Sequence, residues 1–312
     1  MSFRVRVSRQ AWLLLFLGCS AAFGANVSEV LHRAERAERL ISYRGIKQAV
    51  VRCGSRNPSY TETKMSIVHL KPDKTRTAYL TPSKLSGTIV IRNGETSWRY
   101  RPQSKLWEHM GGCIVSVANN VSQDFIRNYQ VRLAGIERIA GRDAYLVSAV
   151  PKSKGDPSHR FWIDRHTYLV LASETKTSSG KLLRSSRFLS IELNPNDISP
   201  SLFVVPNNVR RGDNGAVRLG FRVMKPSYLP KGYRLVGATS SCIGGMAYSH
   251  LRFSNGINTI SLFQRLADKS GSRFAVSEKS TNVVTCVRNG VRCTIVGDLS
   301  RSELQKILAS LR

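Results

Sequence analysis

One stretch constrains this chain more than any other. Residues 159–193 read HRFWIDRHTYLVLASETKTSSGKLLRSSRFLSIEL. From His159 to Asp164 the side chains alternate: Phe161 and Ile163 fall on one side, Arg160, Trp162 and Asp164 on the other. Arg165-His166 makes a short turn, residues 168–177 a second strand, Ser178-Ser179-Gly180 a second turn, and residues 181–193 a third strand. Period-two alternation with β-branched and aromatic residues, broken by Ser and Gly, is the pattern of an antiparallel meander with one solvated face. Its apolar face needs a cover: a helix, a second sheet or a ligand.

The rest of the chain extends this pattern. Residues 28–41 predict an amphipathic helix capped by Ser28, with Val30, Leu31, Ala34, Ala37 and Ile41 three and four apart. Strands follow at 43–52, 60–70, 75–80, 87–92 and 96–101, the last two joined at Asn93-Gly94. A short helix at 119–129 precedes strands at 130–139 and 144–150. Residues 199–217 are dense in Pro, Gly and Asn and read as a connection. Beyond it, strands at 233–241, 247–253, 257–266, 283–288 and 291–296 lead to a last helix. That helix opens on Ser300-Arg301-Ser302-Glu303, a capping box, and carries Leu304, Ile307, Leu308 and Leu311 as its apolar stripe.

The fold class expected is α+β, mostly antiparallel β. A strongly curved sheet, or half-barrel, encloses helices, and a small antiparallel-sheet domain carries a C-terminal helix. The length of 312 residues favours two domains. Their expected bounds are a leader at 1–25, a first domain at 26–205, a linker at 206–217 and a second domain at 218–312. In the leader, Arg4, Arg6 and Arg9 precede a short apolar run and then small residues, the pattern of an export signal. Export to the periplasm or another extracytoplasmic space follows; lipid anchoring at Cys19 is the less favoured alternative.

Net charge is +28. That favours an anionic partner, with a solvated basic surface as the plain alternative. Lys and Arg are spread along the chain without a basic block, and export argues against nucleic acid. Arg210, Arg211, Arg218 and Arg222 gather near the connection and are candidate contacts for phosphates or carboxylates. Trp98, Trp107, Trp162 and Phe188 are candidates to line an apolar cavity in the first domain, against the simpler role of core aromatics.

Five cysteines follow the leader. In CVRNGVRC a two-residue Asn-Gly turn sets Cys286 opposite Cys293, within reach of a disulfide. Cys53 with Cys113 is a second candidate pair; Cys242 with Cys286 or Cys293 is a competing one. The sequence has no Cys-x-x-Cys, no Gly-x-Ser-x-Gly and no His-Glu-x-x-His. No enzyme, metal or cofactor is expected.

Several stretches, in order, resemble the MucB/RseB family of exported regulators of an envelope-stress sigma factor. They are Leu40-Ile41-Ser42-Tyr43-Arg44-Gly45, residues 139–147, Phe161-Trp162-Ile163-Asp164 with the Gly180 turn, and Phe188-Leu189-Ser190-Ile191. Residues 228–233, 251–256 and 294–299 continue the match in the second domain. Residues 81–92, TPSKLSGTIVIR, depart from the family's usual Asp-Gly-Pro-Arg-Glu region. The resemblance implies a first domain similar to the LolA-type lipoprotein carriers, and binding rather than catalysis. The implied partner is the exported part of a transmembrane anti-sigma factor, shielded from proteolysis and held chiefly by the smaller domain. Lipid or lipopolysaccharide is the implied signal. The alternative is a periplasmic lipid or lipoprotein carrier.

Overall fold

The computed structural model describes residues 26–53, 59–109, 123–206, 218–243, 246–267 and 282–312. The leader, Cys19, Cys113, Arg210, Arg211 and most of the expected linker lie outside them.

Helix α1 spans Val27–Leu40. Its cap is Asn26, not Ser28: the Asn26 side chain accepts from the Ser28 N–H at 2.9 Å. Both residue types cap well, so composition alone does not separate them. Val30, Leu31, Ala34 and Ala37 form the buried stripe.

Eleven strands make one antiparallel sheet: β1 (Tyr43–Cys53), β2 (Ser59–Leu70), β3 (Lys74–Thr81), β4 (Ile89–Asn93), β5 (Thr96–Arg101), β6 (Leu106–His109), β7 (Tyr129–Ile139), β8 (Arg142–Pro151), β9 (Ser158–Asp164), β10 (Val170–Lys176) and β11 (Leu182–Leu193). Their spatial order is β6-β5-β4-β3-β2-β1-β11-β10-β9-β8-β7. The first and last strands therefore meet in the middle, Tyr43 opposite Leu193, and two meanders run outward from that seam. Gly45 sits at the seam because nothing larger fits: an added Cβ would lie 2.3 Å from the Ser190 carbonyl oxygen. The 159–193 meander forms as β9, β10 and β11.

Cross-strand partners share a face, so the register sorts the side chains. One face carries Tyr43, Ile67, Ile163, Val147 and Tyr129. Helix α1 and the short helix α2 (Gln123–Asn128) pack on this face, where Val30, Leu31 and Ala34 meet Phe125, Tyr129, Val147, Ala149 and Ile163. Each fully buried aliphatic or aromatic side chain there contributes about 1.5–3 kcal/mol. The opposite face is crossed near β3 and β4 by the chain that leaves β11. Part of the expected exposed connection is packed there: Pro200–Phe203 is a short 3-10 helix with Phe203 buried, and the Phe203 carbonyl accepts from Asn93 Nδ2 at 3.1 Å.

A second antiparallel sheet holds β12 (Arg234–Ile243), β13 (Met246–Ser254), β14 (Thr259–Leu266), β15 (Asn282–Arg288) and β16 (Val291–Gly297), in the order β12-β13-β14-β16-β15. Helix α3 (Arg301–Ala309) packs Leu304, Ile307 and Leu308 against Leu251, Leu262 and Ile295. Ser300 caps it, accepting from the Glu303 N–H at 3.2 Å. The Glu303 carboxylate turns elsewhere, to the Tyr228 hydroxyl and Lys306. The β15–β16 turn has the expected form, with Asn289 and Gly290 both at positive φ.

Candidate functional site

The two sheets meet at a polar, buried junction. On the large sheet it is built from Tyr129 at the start of β7, Asp156 and His159 around the start of β9, and Arg184 on β11. On the small sheet it is built from Tyr233, the Asn255–Asn258 turn between β13 and β14, and Asp298 after β16. Asn258 Nδ2 donates to the Tyr129 hydroxyl at 2.6 Å. Asn128 Nδ2 donates to the Asn255 carbonyl at 2.9 Å. Arg184 meets Asp298 at 2.5 Å. Ile257, on the same turn, packs against the apolar layer under α1. Gly232 lets the chains approach: it sits at φ 88°, and an added Cβ would lie 2.4 Å from Asn128 Oδ1.

Asp156 is 4% exposed. Among the described residues its partners are neutral and come from the small-sheet side of the junction: the Tyr233 hydroxyl at 3.4 Å and Asn255 Nδ2 at 3.3 Å. Burial without a cation pushes its carboxyl up to about 6, against the pull of those two hydrogen bonds. His159 bonds to the Thr175 hydroxyl at 3.1 Å. Burial, then the nearby Arg184 charge, brings its imidazole down to about 3. The turn residue Asp164 is fully buried and receives Arg142 through two nitrogens, at 2.7 and 3.1 Å, together with the Thr167 hydroxyl. Burial raises its carboxyl, but those donors outweigh it and hold the carboxyl below the usual range.

A small cavity of about 20 Å³ lies beneath α1, lined by residues that include Ala34, Tyr43, Lys47, Leu169 and Phe188. That is room for one water, not for an acyl chain. The Lys47 amine lies 4.9 Å from the centre of the Phe188 ring, and burial lowers its pKa while Glu38 partly restores it. A wider cleft of about 460 Å³ opens at the C-terminal half of α1, but its walls are charged and include Glu35, Arg36, Asp73 and Arg92.

The register separates the four aromatics expected to share a cavity. Phe188 lies opposite Lys47 on the helix-bearing face, edge-on to Tyr43. Trp98 aligns with Ile91 and His109, and Trp107 with Tyr100, on the other face. Trp162 aligns with Leu146 and Ala172, also on that other face, and donates to Glu137 at 2.7 Å. The four do not line one cavity, because odd and even positions of a strand point to opposite sides. Arg218 and Arg222 are exposed. Cys286 and Cys293 are register partners on β15 and β16, both as free thiols, and Cys53 is a free thiol on β1. Cys242 falls on β12.

The junction residues were missed in the sequence. The Ser254-Asn255-Gly256 run reads only as a turn, and no local signal says that its side chains reach Tyr129 and Asp156, about a hundred positions earlier.

The fold and junction define a two-sheet α+β protein, with no cluster of three or more metal-ligating side chains among the described residues. The chain belongs to the MucB/RseB family: the model of the MucB/RseB N-terminal domain matches residues 26–207. It is 22% identical over 260 residues to the sigma-E factor regulatory protein RseB of Haemophilus influenzae, covering 78% of this chain and 80% of that protein. In fold it is similar to a crystal structure of MucB, with TM-score 0.67 and 18% identity over 91% of this chain and 97% of the other. The MucA/MucB complex of Pseudomonas aeruginosa gives the same TM-score and identity, over 92% and 99%.

Proposed function

We propose that this chain is an exported regulatory binding protein, periplasmic or peripheral to the membrane. It binds the exported part of a transmembrane anti-sigma factor and shields it from proteolysis. The observation that carries this reading is the length of the likeness: both sheets, over 92% of the chain, follow a MucB that was solved bound to MucA. Residues 218–312 supply the chief contact in this reading, with the first 25 residues as the export leader. Restraint of an envelope-stress sigma factor follows from holding its inhibitor intact.

The test is a crosslinked pull-down of the tagged protein from its own envelope, with proteins and lipids identified by mass spectrometry. Recovery of a single-pass membrane protein whose other end binds a sigma factor is the expected result. Its absence overturns the reading.

The second reading is a lipid or lipoprotein carrier, with lipid sensing as its regulatory form. It needs the large sheet to curve as a half-barrel around an acyl chain. The space beneath α1 is about 20 Å³, so α1 has to move for lipid to enter. Recovery of lipid without a membrane-protein partner, and unchanged by removal of residues 218–312, favours the carrier.

A further inference from the structure

The face of the large sheet opposite α1 carries a set of cations with no partner among the described residues. Arg132 on β7 and Arg160 on β9 lie in one cross-strand row, each opposite Ser148 of β8 or in line with it. Arg187 on β11 is displaced by one row toward Trp162, through Ala172. All three are exposed. None has an ion pair or side-chain hydrogen bond among the described residues. Alternate strands are roughly 10 Å apart, a spacing that relieves mutual repulsion among the three guanidinium groups; the carboxylate in their row, Glu174 opposite Arg160, is paired with Lys176 instead.

On the β7–β11 part of this face the acidic groups are already engaged. Glu137 accepts from Trp162 at 2.7 Å. Glu174 pairs with Lys176 at 3.0 Å, and Glu192 with Arg44 at 2.6 Å. Apolar surface lies among the cations: Val150 is 46% exposed on this face, and Trp162 is half-buried. A sheet face with unpaired arginines, one indole and an exposed aliphatic side chain matches a headgroup layer, where phosphates meet the cations and the rings sit at the interface. A folded acidic protein would need a shaped, well-packed core in its contact, and this face offers scattered cations instead.

We propose that the β7–β11 face opposite α1, centred on Arg132, Arg160 and Arg187, docks on an anionic lipid bilayer. The contact is with phosphate headgroups and leaves the helix-bearing face and the small sheet free. It is independent of any lipid held inside the protein.

The test is co-sedimentation of the protein, as recovered after export, with vesicles of phosphatidylglycerol mixed into phosphatidylcholine, and with pure phosphatidylcholine. Binding is expected to the anionic vesicles alone and to weaken with salt. Replacing all three arginines by Ser weakens it by roughly 100-fold, and replacing all three by Lys holds it within several-fold, because the charge is kept. Circular dichroism and melting confirm that the variants fold; should the triple Ser variant unfold, Arg160→Ser alone is expected to weaken binding about fivefold. Three results overturn the proposal: no binding to anionic vesicles, equal binding by the Ser variants and the unaltered protein, or binding to polyglutamate with the same arginine dependence as to vesicles. The last would mark the face as a site for acidic polypeptide.

Discussion

Arg184 Nη1 lies 2.5 Å from Asp298 Oδ2, and this pair ties β11 of the large sheet to the end of β16 in the small one. The Asp298 side chain is only 5% exposed. Removing the arginine leaves a buried carboxylate without its cation, which is more costly than the pair itself is stabilising. Arg184→Ala is expected to lower the unfolding free energy by about 3 kcal/mol, read from urea denaturation. The double variant Arg184→Ala, Asp298→Asn should recover part of that loss; a double variant as unstable as the single one would count against the pairing.

Asp156 and His159 pull the pH dependence of stability in opposite directions. The folded-state value of Asp156, about 6, lies above its unfolded value. Its contribution therefore grows as pH falls from about 6 toward 4 and is lost as pH rises through 6. The folded-state value of His159, about 3, lies below its unfolded value. Its contribution is complete above about pH 6.5 and is lost as pH falls toward 3. His159→Gln should thus gain about 1 kcal/mol between pH 7 and 5, and Asp156→Asn should lose about 2 kcal/mol over the same range. Parallel slopes in the two variants would show that these groups do not titrate as the burial implies.

The Cys293 thiol is fully buried and pushed up to about 12, chiefly by burial and then by Cys286. The thiolate is the reactive form. Alkylation of Cys293 by iodoacetamide at pH 8 should be slow in the folded protein and fast in urea. Oxidised glutathione is expected to join Cys286 to Cys293, releasing two equivalents of reduced glutathione. Peptide mapping checks this, and a map joining either one to Cys242 instead would reject the register pair as the disulfide.

Gly45→Ala should break the central seam. Its Cβ would meet the backbone of β11, not a side chain that can turn away. A loss of about 3 kcal/mol or more is expected, measured by thermal melting. Gly180→Ala is the contrast: its Cβ meets nothing within 4 Å, so only the strain of its φ of 80° is felt. The two should differ clearly.

Local chemistry determined most of the fold. The 159–193 meander, the α1 stripe, the Asn289-Gly290 turn and the Ser300 cap are set by alternation, helical spacing, tolerance of positive φ and a hydroxyl near free N–H groups. Each of those signals acts within a few residues, so it is legible along the chain. What lay beyond it was everything fixed by partners far away. The sequence offered Trp98, Trp107, Trp162 and Phe188 as one group, and only the pairing register set Phe188 on the face of α1 and the three tryptophans on the other. It marked 254–256 as a turn, and only docking of the two sheets brought Asn255 and Asn258 to Tyr129 and Asp156. Burial at that junction, not residue type, moved the proton affinities of Asp156 and His159. The same register aligned Arg132 with Arg160, and put Arg187 one row away, where the chain alone shows three scattered basic residues.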